Sequence, residues 1–140
     1  MTMSNNIERL KGTWDYVNGD NNDEYLKELG VGMMERMMAK GLKPQLIISE
    51  KDGKWTLCTK TIFKTITLEF TPDVEYEETT PDGRQIKGIV RFEDGKWIQK
   101  MRNQTNKESM ITRWVDTNDQ LRIMSECGKA KVHKLYKRVQ

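Results

Sequence analysis

The stretch Leu121-Arg-Ile-Met-Ser-Glu-Cys-Gly128 combines the two features that recur along this chain, alternating side chains and a turn signal. Leu121, Ile123 and Ser125 fall on one side of an extended backbone, which is the pattern of a half-buried strand. Cys127-Gly128 then supplies the left-handed backbone that a tight hairpin needs. Other turn signals separate apolar runs in the same way: Lys51-Asp-Gly53, Pro81-Asp-Gly83, Glu93-Asp-Gly95 and Thr117-Asn-Asp119. The sequence therefore predicts an antiparallel meander, which usually closes into a barrel.

Two short helices interrupt this pattern near the amino terminus. Helical periodicity predicts them over 23–29 and 33–40, with Asn22 as the N-cap of the first and Gly41 ending the second. A helix pair can also bind DNA, but here acidic residues balance the basic ones, whereas a recognition helix needs a cationic face. We therefore expect one strand over 12–18, a helical hairpin, and then strands to the end of the chain.

Composition limits the function classes. The 140 residues fit one domain, predicted over 1–140, and a net charge of +3 is too weak to indicate nucleic-acid binding. A hydrophobic share of 36% and a mean hydropathy of −0.79 are low, so either the surface is extensively solvated or the interior is not purely hydrocarbon. The start of the chain lacks the apolar core of a signal peptide, and Cys58 and Cys127 form no C-x-x-C motif. We expect reduced thiols in a cytosolic protein.

Two cations fall on strand faces that also carry apolar residues. Arg113 lies two residues from both Ile111 and Val115, and Lys134 lies two residues from Tyr136. The opposite faces are apolar as well, so the alternation allows both cations to be solvated outside the barrel. It equally allows them to point inward, where a buried cation would need an anionic partner such as a carboxylate.

The order of short motifs along the chain resembles that of the intracellular lipid-binding proteins, the fatty-acid-binding protein family. The similarity runs from about Leu10 to Val139, at nearly the family spacing. The motifs that carry it are Gly12-Thr-Trp14, Asn21-Asn-Asp-Glu-Tyr-Leu-Lys-Glu-Leu-Gly-Val-Gly32, Lys43-Pro44, Leu46-Ile-Ile-Ser49, Thr61-Ile-Phe-Lys-Thr65, Glu77-Glu-Thr-Thr-Pro-Asp-Gly-Arg84, Asp94-Gly-Lys-Trp-Ile-Gln-Lys100 and Lys134-Leu-Tyr136.

The resemblance implies an all-β, ten-stranded antiparallel up-and-down β-barrel of the calycin or lipocalin type, capped by a helix-turn-helix lid at about 22–41. It implies a lipid in the interior, with its carboxylate held by Arg113, Lys134 and Tyr136. Residues that it places at the portal and lid are Val31, Met34, Met38, Ala39, Phe63 and Lys64. Residues that it places along the cavity are Phe70, Met101, Ile111 and Ser125.

Three positions depart from the family pattern. Lys134 stands where an Arg is usual, and an ammonium grips a carboxylate less rigidly than the planar fork of Arg does. Asn22 replaces an aromatic residue, and the turn over 102–106 is longer than usual. These changes leave the expected fold in place and weaken the transfer of an exact ligand preference.

The second helix carries four methionines on two rows spaced four residues apart, at positions 33, 34, 37 and 38. We expect one row to face the barrel and the other solvent, forming an adaptable lid. Lys27, Arg36 and Lys40 would let this lid touch an anionic membrane transiently, and they fit solvated helix charges equally well. The family resemblance also implies a nuclear signal on this hairpin, where Lys27 and Arg36 match two basic positions and Met37 occupies a third that is usually basic.

The leading function is therefore intracellular transport of long-chain fatty acids by a monomer. Alternatives are a carrier of another acidic lipid such as a retinoid, and a signalling chaperone that delivers ligand to a nuclear receptor, with a cytoplasmic or also nuclear location. No nucleophile–base pair, metal-ligand spacing or cofactor motif is evident in the sequence, so no enzyme, metal or cofactor is expected. Lone His133 and both cysteines are predicted to play no catalytic role.

Overall fold

The computed structural model of the protein describes residues 7–20, 22–80 and 83–139, and these contain ten antiparallel strands and, between the first two of them, two short helices. The strands are β1 Gly12–Gly19, β2 Gln45–Lys51, β3 Lys54–Lys60, β4 Thr65–Phe70, β5 Tyr76–Thr79, β6 Gln85–Glu93, β7 Lys96–Asn103, β8 Glu108–Val115, β9 Gln120–Cys127 and β10 Ala130–Arg138. The helices, α1 Asn22–Glu28 and α2 Met33–Ala39, lie between β1 and β2. This order confirms the predicted meander and helical hairpin.

The strands form one sheet in the order β4-β3-β2-β1-β10-β9-β8-β7-β6-β5. Strands that follow each other in the chain pair with each other, except β4 and β5, which stand at the two ends of the order. β1 also pairs with β10, which brings the two ends of the chain together. The sheet thus curls into a nearly closed barrel, as expected from the sequence. Its hairpin turns use the left-handed backbone that was predicted, for example at Asp94 (φ 53°) and Gly95 (φ 76°) between β6 and β7. The predicted turn at Pro81-Asp82 lies outside the described residues.

A cluster of aromatic and aliphatic side chains fills the end of the barrel farthest from the helices. Trp97 packs edge-on against Phe70, at 4.9 Å between ring centroids, and against Trp55 at 6.1 Å. Leu10 and Trp14 are both fully buried, and the Trp14 indole N–H donates to the Leu10 carbonyl at 2.9 Å. This packing closes one end of the barrel, so the interior polar groups described below lie between this cluster and the helices.

The helices cover the opposite end, mainly through α1. Tyr25 of α1 is buried with Cys127 and Val132, while Leu26 and Leu29 pack against the same small cluster. Asn22 is the first residue of α1 and not its cap, because the helix begins one residue earlier than the sequence predicted. The residue before Asn22 lies outside the described residues.

The expectation that one methionine row of helix α2 faces the barrel is wrong. None of its residues is buried, and the four methionines are 50–74% exposed, so both rows face away from the barrel. The side of α2 that faces the protein carries Arg36, whose guanidinium donates to the Val31 carbonyl at 2.6 Å and to the Asp23 carboxylate at 3.2 Å. These bonds hold α2 against α1 by its polar side, which leaves the methionine side outward. Within the described residues, no helix has the length and hydrophobicity needed to cross a membrane.

Candidate ligand-binding site

The strand register places the two cations of interest on one row across the barrel wall. Arg113 on β8 stands opposite Trp97 on β7 and Ile123 on β9, and Ile123 in turn stands opposite Lys134 on β10. Neighbouring strands are about 4.8 Å apart, so the Arg113 and Lys134 backbones are separated by about 10 Å, within reach of a group held between them. Arg113 is buried, and Ile111 and Val115, two residues to either side of it on β8, pack against the core cluster. The inward direction is therefore the correct alternative for Arg113.

Arg113 lies in an environment that only partly satisfies its charge. Its side chain is 7% exposed, one guanidinium nitrogen donates to the Gln99 side-chain oxygen at 2.7 Å, and the guanidinium stacks on the Trp97 ring at 4.8 Å. Its Nε is buried without a hydrogen-bond partner among the described residues. Burial lowers the pKa of the guanidinium from 12.5 to about 10, which leaves it cationic at neutral pH. A buried cation with a spare donor and no carboxylate beside it is a ready receptor for an anion.

Lys134 and Tyr136, both on β10, add a second cation and a hydroxyl group to the site. Burial, and then the nearby charge of Arg113, lower the pKa of the Lys134 ammonium. The Tyr136 side chain is buried, and burial raises the pKa of its hydroxyl, which therefore stays protonated and able to donate. Its ring packs edge-on against Tyr16 of β1 at 5.5 Å.

Gly19 makes room for this arrangement. It is paired with Lys134, and a Cβ at this position would lie 3.0 Å from the Lys134 side chain and 2.8 Å from the Tyr16 hydroxyl. Tyr16 thus borders the same pocket of polar groups. Neither residue was singled out from the sequence, since the β-bulge between Tyr16 and Asn18 is a property of the β1–β10 pairing.

Two more polar residues that sequence reasoning missed belong to the site. Gln99 of β7 is 97% buried; its side-chain oxygen accepts from Arg113 and from the Trp97 indole N–H at 3.3 Å. Its amide donates to the Tyr76 hydroxyl at 2.5 Å, and burial raises the pKa of that hydroxyl to about 12. The available signal was the alternation Trp97, Gln99, Met101, which puts an amide between two apolar interior positions. The network fixes the orientation of the Arg113 guanidinium.

The wall next to this row carries the other predicted cavity residues. Ile111 and Ser125 form one cross-strand pair, next to the row of Arg113 and Ile123. Phe70 and Ser125 are buried, whereas Met101 and Ile111 are half-buried. Toward the helices, burial raises the pKa of the Tyr25 hydroxyl, which lies near the hydroxyls of Ser109 and Ser125. The interior therefore offers both hydroxyl groups and apolar surface.

The predicted portal and lid residues lie at the helix-covered end but differ in exposure. Phe63 is 56% exposed in the turn between β3 and β4, where Thr61 accepts backbone N–H groups and shapes the turn, and Lys64 is exposed beside it. Val31 is buried, and its carbonyl is a partner of Arg36. Met34 and Met38 point to solvent, whereas Ala39 is half-buried.

A groove of about 560 Å³ opens along β6 to β9, and the predicted cavity residue Met101 is part of its lining. Its lining includes Lys87, Ile89, Lys100, Met110 and Glu126, most of which point away from the barrel interior. None of the three predicted carboxylate ligands lines it. Its charges are mixed, so its electrostatics favour neither sign of ligand.

Other reactive groups stand apart from the interior row. His133 is exposed, as predicted; Cys58 is half-buried within β3 and Cys127 is buried at the end of β9, where burial raises the pKa of its thiol. Over the described ranges, no group of three or more His, Cys, Asp or Glu residues is arranged to hold a metal ion.

Residues 11–139 match the family model described as Lipocalin / cytosolic fatty-acid binding protein family. This chain belongs to that family. Fatty acid-binding protein homolog 6 of Caenorhabditis elegans is 41% identical over 133 residues, which cover 94% of this chain and 98% of that protein. The family resemblance seen in the motifs is thereby confirmed.

Solved structures of similar proteins share the fold. The chain superposes on a structure titled REP1-NXSQ fatty acid transporter with a TM-score of 0.86 at 32% identity, covering 95% of this chain and 98% of that one. It superposes on a Schistosoma mansoni fatty acid binding protein in complex with arachidonic acid with a TM-score of 0.89 at 25% identity, covering 96% and 99%. The barrel with two helices is thus the architecture that this chain shares with these proteins.

Proposed function

We propose that this protein carries a long-chain fatty acid inside the barrel, with the carboxylate bound at Arg113, Lys134 and Tyr136. The observation that carries the proposal is the buried Arg113, whose Nε has no hydrogen-bond partner within 7–20, 22–80 and 83–139. A carboxylate would accept from that donor and offset two positive charges that burial otherwise disfavours. The Tyr136 hydroxyl would donate a further hydrogen bond.

The tail would supply most of the affinity. A chain of about 15 methylenes gains on the order of 12 kcal/mol on full burial, at roughly 0.8 kcal/mol each. The ligand loses translational freedom and its acyl chain becomes ordered on binding, and these costs offset several kcal/mol of this gain. The charge-assisted bonds at the head group add about 1–3 kcal/mol and orient the lipid. Micromolar or tighter binding is therefore within reach.

Lys134 makes the head-group site less directional than a pair of arginines would. An ammonium on a flexible stem can follow a displaced carboxylate, whereas a guanidinium fork demands one geometry. We therefore propose a tolerant acidic-lipid carrier, with fatty acids first and a retinoid-like acid as the alternative within the same cavity. We propose carriage without catalysis, because the interior row pairs cations, hydroxyls and an amide without a carboxylate or imidazole to act as a base.

The head-group assignment is tested by comparing two ligands that share a tail. Delipidated protein is titrated with oleic acid and with oleyl alcohol, in the wild type and in Arg113→Gln, and Arg91→Gln on the exposed face of β6 serves as the matched control. We expect Arg113→Gln to weaken oleic acid about tenfold or more and oleyl alcohol much less. Equal losses for both ligands would refute a carboxylate at Arg113. Mass spectrometry of solvent extracts from the purified protein then identifies the lipid it acquires in cells.

We propose further that the protein exchanges lipid at anionic membranes through a surface defined here as the lid patch. It comprises the α2 methionines Met33, Met34, Met37 and Met38 together with Ile62 and Phe63 of the β3–β4 turn. The two parts lie at the same end of the barrel, because β2 begins six residues after α2 and its first residue pairs with Lys60. The exposed lysines in these segments are Lys40, Lys43, Lys60 and Lys64.

The charges around the lid patch favour a lipid surface with anionic head groups. Those four ammonium groups outnumber the acidic side chain of α2, that of Glu35, so the rim of the patch is cationic while its centre is apolar. Arg36, which the sequence assigned to this contact, is instead bound to Asp23 and the Val31 carbonyl. Transfer of a fluorescent fatty acid to phosphatidylserine-containing vesicles should rise with vesicle concentration and slow as salt screens the lysines. A rate independent of both would rule out the contact.

The family description includes cytosolic fatty-acid-binding proteins, and we propose a cytosolic location for this chain. Delivery to a nuclear receptor remains a second proposal. It requires that ligand loading change the helical surface, and receptor-domain pull-down with loaded and empty protein would test it.

A further inference from the structure

The four methionines of α2 form one continuous, largely exposed face of the helix. At 100° per residue, Met33, Met37, Met34 and Met38 fall within an arc of about 140°. Their side chains are 69%, 63%, 74% and 50% exposed, respectively. Neither apolar cluster of the barrel includes any of them. The face therefore contributes little to packing, and its thioethers are open to reagents in solution.

The opposite side of α2 holds this face in its outward position. Arg36 lies outside the methionine arc, its side chain is 16% exposed, and it bonds to Asp23 and to the Val31 carbonyl. Turning the methionines inward would break the ion pair and the hydrogen bond together. The thioethers consequently stay accessible as long as α2 stays attached to α1.

We propose that this face is an oxidation site at which peroxide controls docking of the lid on membranes. The inference rests on the proposed membrane contact, since it concerns the regulation of the same surface. In the reaction, the thioether sulfur attacks one oxygen of hydrogen peroxide, the O–O bond breaks, and the second oxygen leaves as water. The sulfur is oxidised by two electrons to a sulfoxide while the peroxide is reduced.

The polarity change occurs at the centre of the lid patch. A sulfoxide replaces an apolar, flexible side chain with a strongly polar one, which favours water over the acyl region of a bilayer. Up to four such groups would appear on a single helical face. The lysines at the rim keep their charge, so the oxidised lid retains electrostatic attraction and loses apolar insertion. We expect transfer to vesicles to slow on the order of tenfold or more.

The interior should remain functional under the same treatment. The other methionines of the described chain, Met101, Met110 and Met124, are only partly exposed, and Met101 is on the cavity wall. Mild peroxide should therefore oxidise the α2 face first. Fatty-acid affinity and the free energy of unfolding should change little, because the α2 methionines belong to neither apolar cluster of the barrel.

The test compares the wild type with a variant in which Met33, Met34, Met37 and Met38 are all replaced by Leu. Both full-length proteins are treated with graded hydrogen peroxide, peptide mass spectrometry counts the sulfoxides at each position, and oleic-acid affinity is measured on the same samples. Transfer rates to phosphatidylserine-containing vesicles are then compared before and after treatment. Each rate is compared with the rate of the same protein before treatment. We expect peroxide to slow the wild type, with recovery after methionine sulfoxide reductase, and to leave the rate of the leucine variant unchanged from its own untreated value.

The outcomes separate this inference from the membrane proposal. If untreated protein shows no dependence on vesicle concentration, the membrane contact itself is wrong. If untreated protein docks and the oxidised protein docks equally well, the regulatory inference alone is overturned. A leucine variant that slows equally with peroxide would place the sensitive group elsewhere, which also overturns it.

Discussion

Replacing Arg113 with methionine should separate the needs of the ligand from the needs of the fold. The lowering of the guanidinium pKa from 12.5 to about 10 corresponds to a penalty of about 3 kcal/mol for holding the charge in the ligand-free barrel. Arg113→Met removes this penalty and keeps an unbranched side chain out to about the position of the arginine Nε. It also removes the bond to Gln99 and the contact with Trp97, together worth about 2 kcal/mol. The ligand-free variant should be about 1 kcal/mol more stable than the wild type.

The sign of this change distinguishes the two roles. If Arg113 instead held the fold together through a buried network, its removal would lower the free energy of unfolding by about 3–5 kcal/mol. The assay is urea unfolding of delipidated protein, with Arg91→Met as a control that should change stability by less than about 0.5 kcal/mol. In the ligand-free state, a loss of more than about 2 kcal/mol for Arg113→Met at an unchanged urea dependence would refute the reasoning.

The same variant should lose the stabilisation that a fatty acid provides. Oleic acid at a hundred times its Kd stabilises the wild type by about 2.7 kcal/mol, and a tenfold weaker variant gains about 1.4 kcal/mol at that concentration. The gain measured with oleyl alcohol should stay similar in the two proteins. The predicted pattern is thus a variant that is more stable when empty and less stabilised when loaded.

Three further predictions concern other parts of the barrel. Arg138→Met should lower the free energy of unfolding by about 2 kcal/mol, because Arg138 stacks on Trp14 at 4.2 Å and bonds to an aspartate and two backbone carbonyls; an unchanged urea midpoint would contradict this. Gly88→Ala should cost about 1–3 kcal/mol, since the added Cβ would collide with the Tyr76 ring, and wild-type stability in the variant would show that the ring can move. The pKa of Lys134 is lower in the folded state than its ordinary value of 10.5, so between these two values the unfolded state binds more protons. The free energy of unfolding of the ligand-free protein should therefore rise with pH across this window. Unfolding experiments on Lys134→Met should show no such rise.

Local sequence pattern determined much of the architecture. Alternation with a period of two and turn residues such as Asp94-Gly95 act over a few neighbouring positions, so they specify strands and hairpins without knowledge of distant contacts. The inward placement of Arg113 followed from the same alternation only once the family resemblance chose between its two faces. The strand bounds agree with the prediction to within about one residue at β1.

The tertiary structure decided which side chains meet. Gln99, Arg113 and Tyr76 lie on three strands, and their hydrogen bonds depend on the cross-strand register and on the curl of the sheet, which no short segment encodes. Gly19 and Tyr16 joined the site through a bulge in the β1–β10 pairing.

Which side of α2 faces the protein could likewise not be predicted from the sequence. A methionine face suits either a barrel rim or an exposed lid, so its hydrophobicity alone does not orient the helix. The contacts of Arg36 with Asp23 and the Val31 carbonyl, made across two helices, fix the polar side inward. The physical reason is general: periodicity is a property of a single element, whereas facing and register are set by partners distant in the chain.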